Sequence, residues 1–121
     1  MKRKLLMIED DGQVCLVVRQ FLKRKNWEFH SAATGTEGLE KASSVHPDVV
    51  LLDIQLPDMD GWDVCRKLKG GAALRAIPVV MISGTWTAEE RARASTLGIA
   101  RLHAKPVDLA RLVRDVEELA R

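Results

Sequence analysis

Side chains that can bind a cation or act as nucleophiles follow four of the five short apolar runs in this sequence. Carboxylates follow the first and third runs, a hydroxyl follows the fourth, and a lysine amine follows the fifth. Taken singly, each is most simply a turn, capping or solvated residue. Their joint occurrence is the stronger signal, because chance rarely produces it. The residues are Glu9, Asp10 and Asp11 after the first run, then Asp53, Ser83 and Lys105.

The clustered carboxylates predict a site for a divalent cation. Two carboxylates held about 4 Å apart repel each other by roughly 4 kcal/mol at an effective dielectric constant of about 20. A third would require proton uptake or a counter-charge. An all-oxygen site of this kind suits Mg²⁺ better than Zn²⁺, and Lys105 adds one further positive charge. One of the two residues Asp10 and Asp11 is expected to cap the following helix.

Five apolar runs predict the β-strands that carry these residues. Strands buried on both faces are continuous apolar runs, and the first and third runs have this form. The second run is more polar, which is typical of an edge strand. The fourth contains Pro78 near its start, where proline is tolerated. The predicted strands cover residues 5–8, 27–32, 49–52, 77–82 and about 100–104.

The segments between these runs have helical periodicity. Thr34 with Glu37, and Thr87 with Glu90, have the spacing of capping boxes. The second helix is expected to run to about Val45, because a proline follows two residues later. Apolar residues three and four positions apart predict the buried helix faces. These are Val14, Val17, Val18, Phe21 and Leu22 in the first helix, Val64, Cys65 and Leu68 in the third, and Leu109, Leu112, Val113, Val116 and Leu119 in the fifth.

Alternating strands and helices predict an α/β fold with one parallel sheet and helices on both faces. In such sheets ligands bind beyond the carboxyl ends of the strands. The acidic, hydroxyl and amine groups stand at those ends. The length of 121 residues is enough for one domain, spanning residues 1–121.

Composition argues against several other classes of protein. The net charge is +2, and no basic stripe suggests nucleic-acid binding. The first apolar run ends at Glu9, too early for a secretion signal, and no segment approaches the roughly 20 apolar residues of a membrane span. Cys15 and Cys65 lack the spacing of a zinc site. We expect them to be reduced thiols in a cytoplasmic protein.

Four segments give the sequence a specific resemblance to one family. From about residue 4 to residue 119 the chain resembles the receiver domain of bacterial two-component response regulators. This resemblance implies a flavodoxin-like, doubly wound five-stranded parallel sheet of order 2-1-3-4-5 with five helices in three layers. The matching segments are LLMIEDD at residues 5–11, PDVVLLDIQLPDMDG at 47–61, PVVMISG at 78–84 and AKP at 104–106.

The resemblance implies a role for each residue that would handle the phosphoryl group. Asp53 resembles the phosphoacceptor, a carboxylate nucleophile that attacks a phosphohistidine on a partner protein. Lys105 is similar to the lysine that pairs with the acyl phosphate, and the Lys105–Pro106 bond is expected to be cis. Ser83 matches the hydroxyl that turns toward the phosphoryl group.

The resemblance also implies a Mg²⁺ site. Asp10 would be a direct ligand and Glu9 would act through a water molecule. Asp53 would contribute its carboxylate, and Gln55 would contribute its backbone carbonyl. Phosphoryl transfer mainly needs in-line positioning and neutralised oxygens, which metal and lysine supply.

A domain of this kind is a signalling switch, with only self-directed phosphorylation and dephosphorylation, and is not a turnover enzyme. The implied partners are a histidine kinase or histidine phosphotransfer protein, and a downstream output domain or protein. Direct contact with nucleic acid or membrane is not expected. Phosphorylation adds charge, which would act at the face formed by the fourth helix, fifth strand and fifth helix. A phosphorylation-dependent dimer is one outcome that the family allows.

One departure from the family pattern keeps an alternative function open. Leu102 stands where many members carry a Tyr or Phe that swings inward. Trp86 and His103 could replace part of that movement, although we expect them to be packing and rim residues. Leu102 therefore motivates the alternative of a phosphorylation-independent interaction domain. A phosphatase with an aspartyl-phosphate intermediate would need a second aspartate where Gln55 stands, and is disfavoured.

Overall fold

The computed structural model describes residues 2–120, which form five β-strands and five α-helices in alternation. Within these residues no helix is both long and apolar enough to cross a membrane. The strands are β1 (Arg3–Ile8), β2 (Trp27–Ala32), β3 (Val49–Asp53), β4 (Val79–Ser83) and β5 (Arg101–Ala104). The helices are α1 (Gly12–Lys23), α2 (Gly35–Val45), α3 (Gly61–Gly70), α4 (Ala88–Thr96) and α5 (Leu109–Leu119).

The strands form one parallel sheet in the predicted order β2-β1-β3-β4-β5. All five residues of β3, the central strand, are buried, as its uninterrupted apolar run predicted. The edge strand β2 keeps four half-buried positions, in agreement with its polar content. Strand order reverses between β1 and β3, so the carboxyl ends of these two strands flank the crevice where doubly wound sheets bind ligands.

Alternate strand residues point to opposite faces of the sheet, and each face has its own core. Leu5 and Leu51 pack with α1 and α5 on one face. Ile8 and Leu52 pack with α2, α3 and α4 on the other. At Gly38 in α2 the approach is so close that a Cβ atom would lie 2.5 Å from Ile8 Cδ1. Two apolar layers thus hold the sheet that carries the polar rim.

Side-chain caps define where the helices begin. Thr87 and Glu90 form the complete predicted capping box at α4. At α2 only half of the predicted box is present, because the Thr34 hydroxyl accepts from Glu37 N while the Glu37 carboxylate pairs with Lys41 at 3.1 Å. The Glu37 side chain therefore forms an ion pair one turn further along the helix and does not cap the start of the helix.

The predicted start of the fourth strand is wrong by two residues. β4 begins at Val79 rather than at residue 77. Pro78 has no N–H and cannot pair on both sides, but its carbonyl still accepts from Val50 N at 3.0 Å. β5 begins at Arg101, one residue after its predicted start.

The predicted inner face of α1 is also wrong in part. Cys15, Val18 and Leu22 are the buried residues of this helix. Val17 and Phe21 were expected to face inward but are 44% and 42% exposed. Together with Leu16, which is 55% exposed, they form an outward-facing surface, the α1 apolar patch. The apolar stripe of α1 is wider than the strip that the sheet and α5 cover.

Candidate functional site

The sheet brings the predicted acidic residues to one edge. β3 ends at Asp53, which is in register with Ile82 of β4. Glu9 directly follows β1, and its N–H donates to Ala32 O at the end of β2, at 2.9 Å. Because the strands are parallel, their carboxyl ends lie on the same side. Main-chain pairing therefore places Glu9 and Asp53 at neighbouring strand ends.

Three carboxylates converge at this edge. Glu9, Asp10 and Asp53 each offer an oxygen within 4.8 Å of the oxygens of the other two. Glu9 and Asp53 are each only 3% exposed, whereas Asp10 is exposed. The cluster thus combines two buried acids with one that faces solvent, an arrangement that lets a cation enter from outside.

Lys105 supplies the positive charge of the cluster. Its Nζ lies 2.5 Å from Asp53 Oδ2 and 3.3 Å from Glu9 Oε1. The other oxygen of Asp53, Oδ1, accepts from the backbone N–H of Gln55 at 2.8 Å. Both oxygens of Asp53 therefore have donors, which fixes the orientation of this carboxylate. The Lys105–Pro106 peptide bond is cis, as predicted.

The ionisation of the cluster follows from burial and neighbouring charge. Burial and the adjacent Asp53 together raise the pKa of Glu9 to about 7, although the charge of Lys105 acts in the opposite direction. Burial disfavours the charged form of Lys105, but the contacts with Asp53 and Glu9 outweigh it and raise the pKa of Lys105. Lys105 is therefore an ammonium ion at neutral pH, and the surroundings of Glu9 disfavour its charged form.

The donor set suits a hard cation. Glu9 Oε1 is buried and accepts no hydrogen bond from the side chains or backbone of residues 2–120, so Lys105 balances its charge without filling its acceptor site. Buried oxygens usually have a partner. This oxygen and the neighbouring carboxylates of Asp10 and Asp53 are ligands of the type that Mg²⁺ prefers. The residues present thus fit the predicted metal.

The structure separates the roles of the consecutive acids at positions 10 and 11. The Asp11 carboxylate accepts from Gln13 N at 2.9 Å and from Val14 N at 3.4 Å, which makes it the N-cap of α1. Asp10 belongs to the carboxylate cluster. Asp11, rather than Asp10, is therefore the residue that caps the start of α1.

Ser83 lies at the predicted strand end, but its hydroxyl is used elsewhere. Its Oγ donates to Thr85 O at 2.8 Å, within the loop that follows β4. Its carbonyl accepts from Lys105 N at 2.9 Å, so the ends of β4 and β5 are joined. The predicted position of Ser83 is therefore correct, whereas its hydroxyl makes a bond within its own loop.

The aromatic and histidine residues near the rim are packing residues, as expected. Trp86 packs edge-on against Trp62, with ring centroids 6.2 Å apart, and its indole N–H donates to His103 O at 2.9 Å. The His103 imidazole is buried and contacts Asp115 at 2.8 Å. Leu102 and Trp86 are both partly buried and pack against the same core cluster.

One polar residue near the site was missed by sequence reasoning. Asp58, in the loop 54–60 between β3 and α3, binds the start of α2 through both carboxylate oxygens. From the sequence alone, turn-forming residues such as Pro57 and Asp58 indicate only a loop at this place. Its partners, Gly35 and Thr36, stand more than twenty residues earlier in the chain, and no local pattern links the two segments.

Comparison with curated proteins places the chain among response regulators. The response regulator PleD of Caulobacter vibrioides is 32% identical over 121 residues, which is 100% of this chain but 27% of that protein. The chain thus spans about a quarter of PleD. The polar-differentiation response regulator DivK of Brucella ovis is 27% identical over 117 residues, 97% of this chain and 95% of DivK.

Solved structures and a family model agree with these relatives. A CheY-like response regulator receiver domain protein from Methanospirillum hungatei has a TM-score of 0.91 at 26% identity, over 99% of this chain and 94% of that one. Chemotaxis protein CheY4 of Vibrio cholerae has the same fold, with a TM-score of 0.91 at 22% identity over 98% of this chain and 99% of that one. The model of the response regulator receiver domain matches residues 5–117. The chain belongs to the response regulator receiver domain family of two-component signalling.

Proposed function

We propose that this chain is a phosphoryl-accepting signalling switch. Asp53 receives a phosphoryl group from a phosphohistidine of a histidine kinase or histidine phosphotransfer protein. The observation that carries this proposal is the convergence of two further carboxylates, those of Glu9 and Asp10, and the Lys105 ammonium group on the buried Asp53 at the carboxyl edge of the sheet. The whole chain, residues 1–121, acts as one receiver unit.

In the proposed step a carboxylate oxygen of Asp53 attacks phosphorus. A P–O bond forms, the P–N bond of the phosphohistidine breaks, and the imidazole nitrogen leaves with the bonding electron pair. Lys105 Nζ, 2.5 Å from Asp53, stands where it can stabilise negative charge on the phosphoryl oxygens. The Gln55 N–H holds the carboxylate against rotation. The activity is self-directed, because the acceptor is part of the protein itself.

Mg²⁺ is the cofactor of the proposed transfer. When bound, it would neutralise the phosphoryl oxygens as charge moves onto them. Glu9, Asp10 and Asp53 would hold it, with the backbone carbonyl of Gln55 as a further ligand. The buried Glu9 oxygen without a hydrogen-bond donor supports a cation at this position.

The surface beside the site supports a protein as the phosphoryl donor. The α1 apolar patch is exposed, and a groove lined by Val14, Val17, Lys105 and Pro106 joins it to the site. Exposed apolar patches of this kind are typical of protein interaction sites. We infer that the donor docks there and that an output domain, a downstream protein or a second copy responds at α4, β5 and α5.

The proposed location is the cytoplasm. Phosphohistidine donors are charged with a phosphoryl group from ATP, which that compartment supplies. Cys15 and Cys65 are free, buried thiols, which fits a reducing environment.

Incubation with acetyl phosphate and Mg²⁺, followed by mass spectrometry of the intact protein, tests the proposal. We expect one phosphoryl adduct that requires Mg²⁺ and disappears in Asp53→Asn. The control Asp63→Asn changes a half-buried aspartate on α3 that pairs with Arg66 and should leave the adduct intact. No adduct on the wild-type chain, or one that survives in Asp53→Asn, would contradict the proposal.

A phosphorylation-independent interaction domain is the second candidate. Two observations favour it: Leu102, which is partly buried against the core, stands where an aromatic switch residue is common in the family, and the Ser83 hydroxyl donates to Thr85 O. This candidate predicts that a phosphoryl group on Asp53 changes neither oligomeric state nor partner affinity. Sedimentation velocity of the phosphorylated and unphosphorylated protein measures the oligomeric state. A change on phosphorylation would contradict this second candidate.

A further inference from the structure

A carboxylate outside the metal cluster joins the loop beside the phosphoacceptor to a distant helix. Asp58 Oδ1 accepts from Gly35 N at 2.7 Å. Asp58 Oδ2 accepts from Thr36 N at 3.0 Å and from Thr36 Oγ1 at 2.8 Å. The first N–H groups of a helix have no partner within it. Asp58 thus caps α2 with a side chain supplied by the β3–α3 loop.

The contact between this loop and α2 is closely fitted. A Cβ atom at position 35 would lie 2.6 Å from Met59 Sδ and 2.9 Å from Val64 Cγ2, so a larger residue at this position would have to displace both side chains. Hydrogen bonds from Thr36 N, from Gly35 N and from the Thr36 hydroxyl lower the pKa of Asp58 to about 2. Asp58 is therefore a carboxylate anion at neutral pH, when its acceptor capacity is greatest.

The other end of the same loop contacts the phosphoacceptor. Gln55 N donates to Asp53 Oδ1 at 2.8 Å. Gly61 N donates to Ile54 O at 2.8 Å, and a Cβ atom on Gly61 would lie 2.6 Å from Ile54 Cα and 2.7 Å from Asp53 O. The loop is thus held against Asp53 at its base and against α2 at Asp58.

We propose that Asp58 is a positioning residue for the phosphoacceptor. By fastening loop 54–60 to the start of α2, it keeps the Gln55 N–H on Asp53 Oδ1 and so fixes the orientation of that carboxylate. Its importance for transfer rests on the proposed function, because the orientation of a nucleophile affects the rate only if Asp53 attacks phosphorus. Its importance for the Gln55–Asp53 bond does not depend on that function.

Comparison of Asp58→Ala with Thr34→Ala isolates this role. Thr34 also caps α2, through the bond from Glu37 N to its hydroxyl at 3.1 Å, but that bond does not involve the loop. Both variants remove a cap of the same helix. Only Asp58→Ala also releases the loop from α2, so a difference between the variants reports positioning rather than helix stability.

Amide hydrogen exchange at Gln55, measured without metal, is the first readout. We expect exchange at Gln55 to be about tenfold faster in Asp58→Ala and close to the wild-type rate in Thr34→Ala. Labelling by acetyl phosphate with Mg²⁺ is the second readout, with a rate about tenfold lower in Asp58→Ala. If Asp58→Ala fails to fold, Thr36→Val, which deletes only the hydroxyl bond, should still speed exchange at Gln55 by about twofold.

Equal exchange at Gln55 in the wild type and Asp58→Ala would overturn the inference, as would equal acceleration in Asp58→Ala and Thr34→Ala. Failure of the proposed function has a different signature. In that case the wild-type chain takes no label from acetyl phosphate, while the exchange measurement still decides whether Asp58 positions Gln55.

Discussion

The indole N–H of Trp86 donates to the backbone carbonyl of His103 at 2.9 Å, which ties the loop after β4 to β5. The same loop begins with the bond from Ser83 Oγ to Thr85 O at 2.8 Å. If the Ser83 hydroxyl turns toward a phosphoryl group on Asp53, it must leave Thr85. The loop then loses one of its bonds next to an indole that is already bound to the main chain of β5.

Ser83→Ala is expected to suppress the response of this loop. Beryllium fluoride with Mg²⁺ imitates a phosphoryl group on a carboxylate, and in the wild type we expect it to change the tryptophan fluorescence. Ser83→Ala lacks the hydroxyl that would move, so most of the change should be lost. Trp86→Phe is the control that identifies the reporter. A full response in Ser83→Ala would show that the loop moves without this hydroxyl.

Lys105→Met should destabilise the metal-free protein. The substitution leaves Glu9 and Asp53 buried beside each other without a counter-charge. We expect the free energy of unfolding to fall by about 1–3 kcal/mol, which is less than the roughly 3–5 kcal/mol of a broken, fully buried pair, because Lys105 is partly exposed and solvent screens it. Urea unfolding measures this change.

Mg²⁺ provides the internal check on that prediction. A divalent ion replaces the missing charge, so Mg²⁺ should raise the Tm of Lys105→Met by more than it raises the Tm of the wild type. Lys67→Met, on an exposed position of α3, is the matched control and should behave like the wild type. An equal effect of Mg²⁺ on all three proteins would contradict the prediction that the cation replaces the charge of Lys105.

The contribution of Asp58 to stability should depend on pH. Its folded-state pKa of about 2 lies below the ordinary value of 3.8. Its contribution is therefore fully present above about pH 4 and is lost as the pH falls through about 2. The difference in Tm between the wild type and Asp58→Asn should be largest near neutral pH and should shrink toward about pH 3. For Thr34→Ala, where no charge is removed, the difference should stay constant.

Gly38→Ala should destabilise the fold although alanine favours helices. The added Cβ would lie 2.5 Å from Ile8 Cδ1 and 2.8 Å from Ile8 Cγ1. Overpacking of this kind costs about 1–3 kcal/mol, which outweighs the roughly 1 kcal/mol gained from helix propensity. Gly70→Ala, with no atom within 4 Å of its Cβ position, should be neutral or stabilising. Urea unfolding of both variants distinguishes packing from propensity.

The sheet and the acidic cluster could be predicted because each depends on a short-range pattern. The run at 49–52 is apolar at every position and ends at Asp53, so burial on both faces and a polar strand end can be read from five residues. Parallel strands then put Glu9 and Lys105 at the same edge without further information. The family resemblance supplied the strand order.

Other features depend on what covers a residue in the folded protein. Val17 and Phe21 have the periodicity of a buried face, but periodicity does not reveal that α5 and the sheet cover only part of α1. The hydroxyl of Ser83 donates a hydrogen bond to a carbonyl in its own loop. No sequence pattern specifies this bond. Asp58 binds a helix that starts 23 residues earlier, so its role needs the tertiary structure.

The α1 apolar patch has a consequence for how such a domain can diversify. Exposed positions of this kind usually change stability by no more than about 0.5 kcal/mol when substituted. Leu16, Val17 and Phe21 can therefore be exchanged in combination while the sheet and the acidic cluster stay folded. If the phosphoryl donor docks on this patch as proposed, substitutions at these three positions would change which donor the domain recognises and would leave the acidic cluster intact.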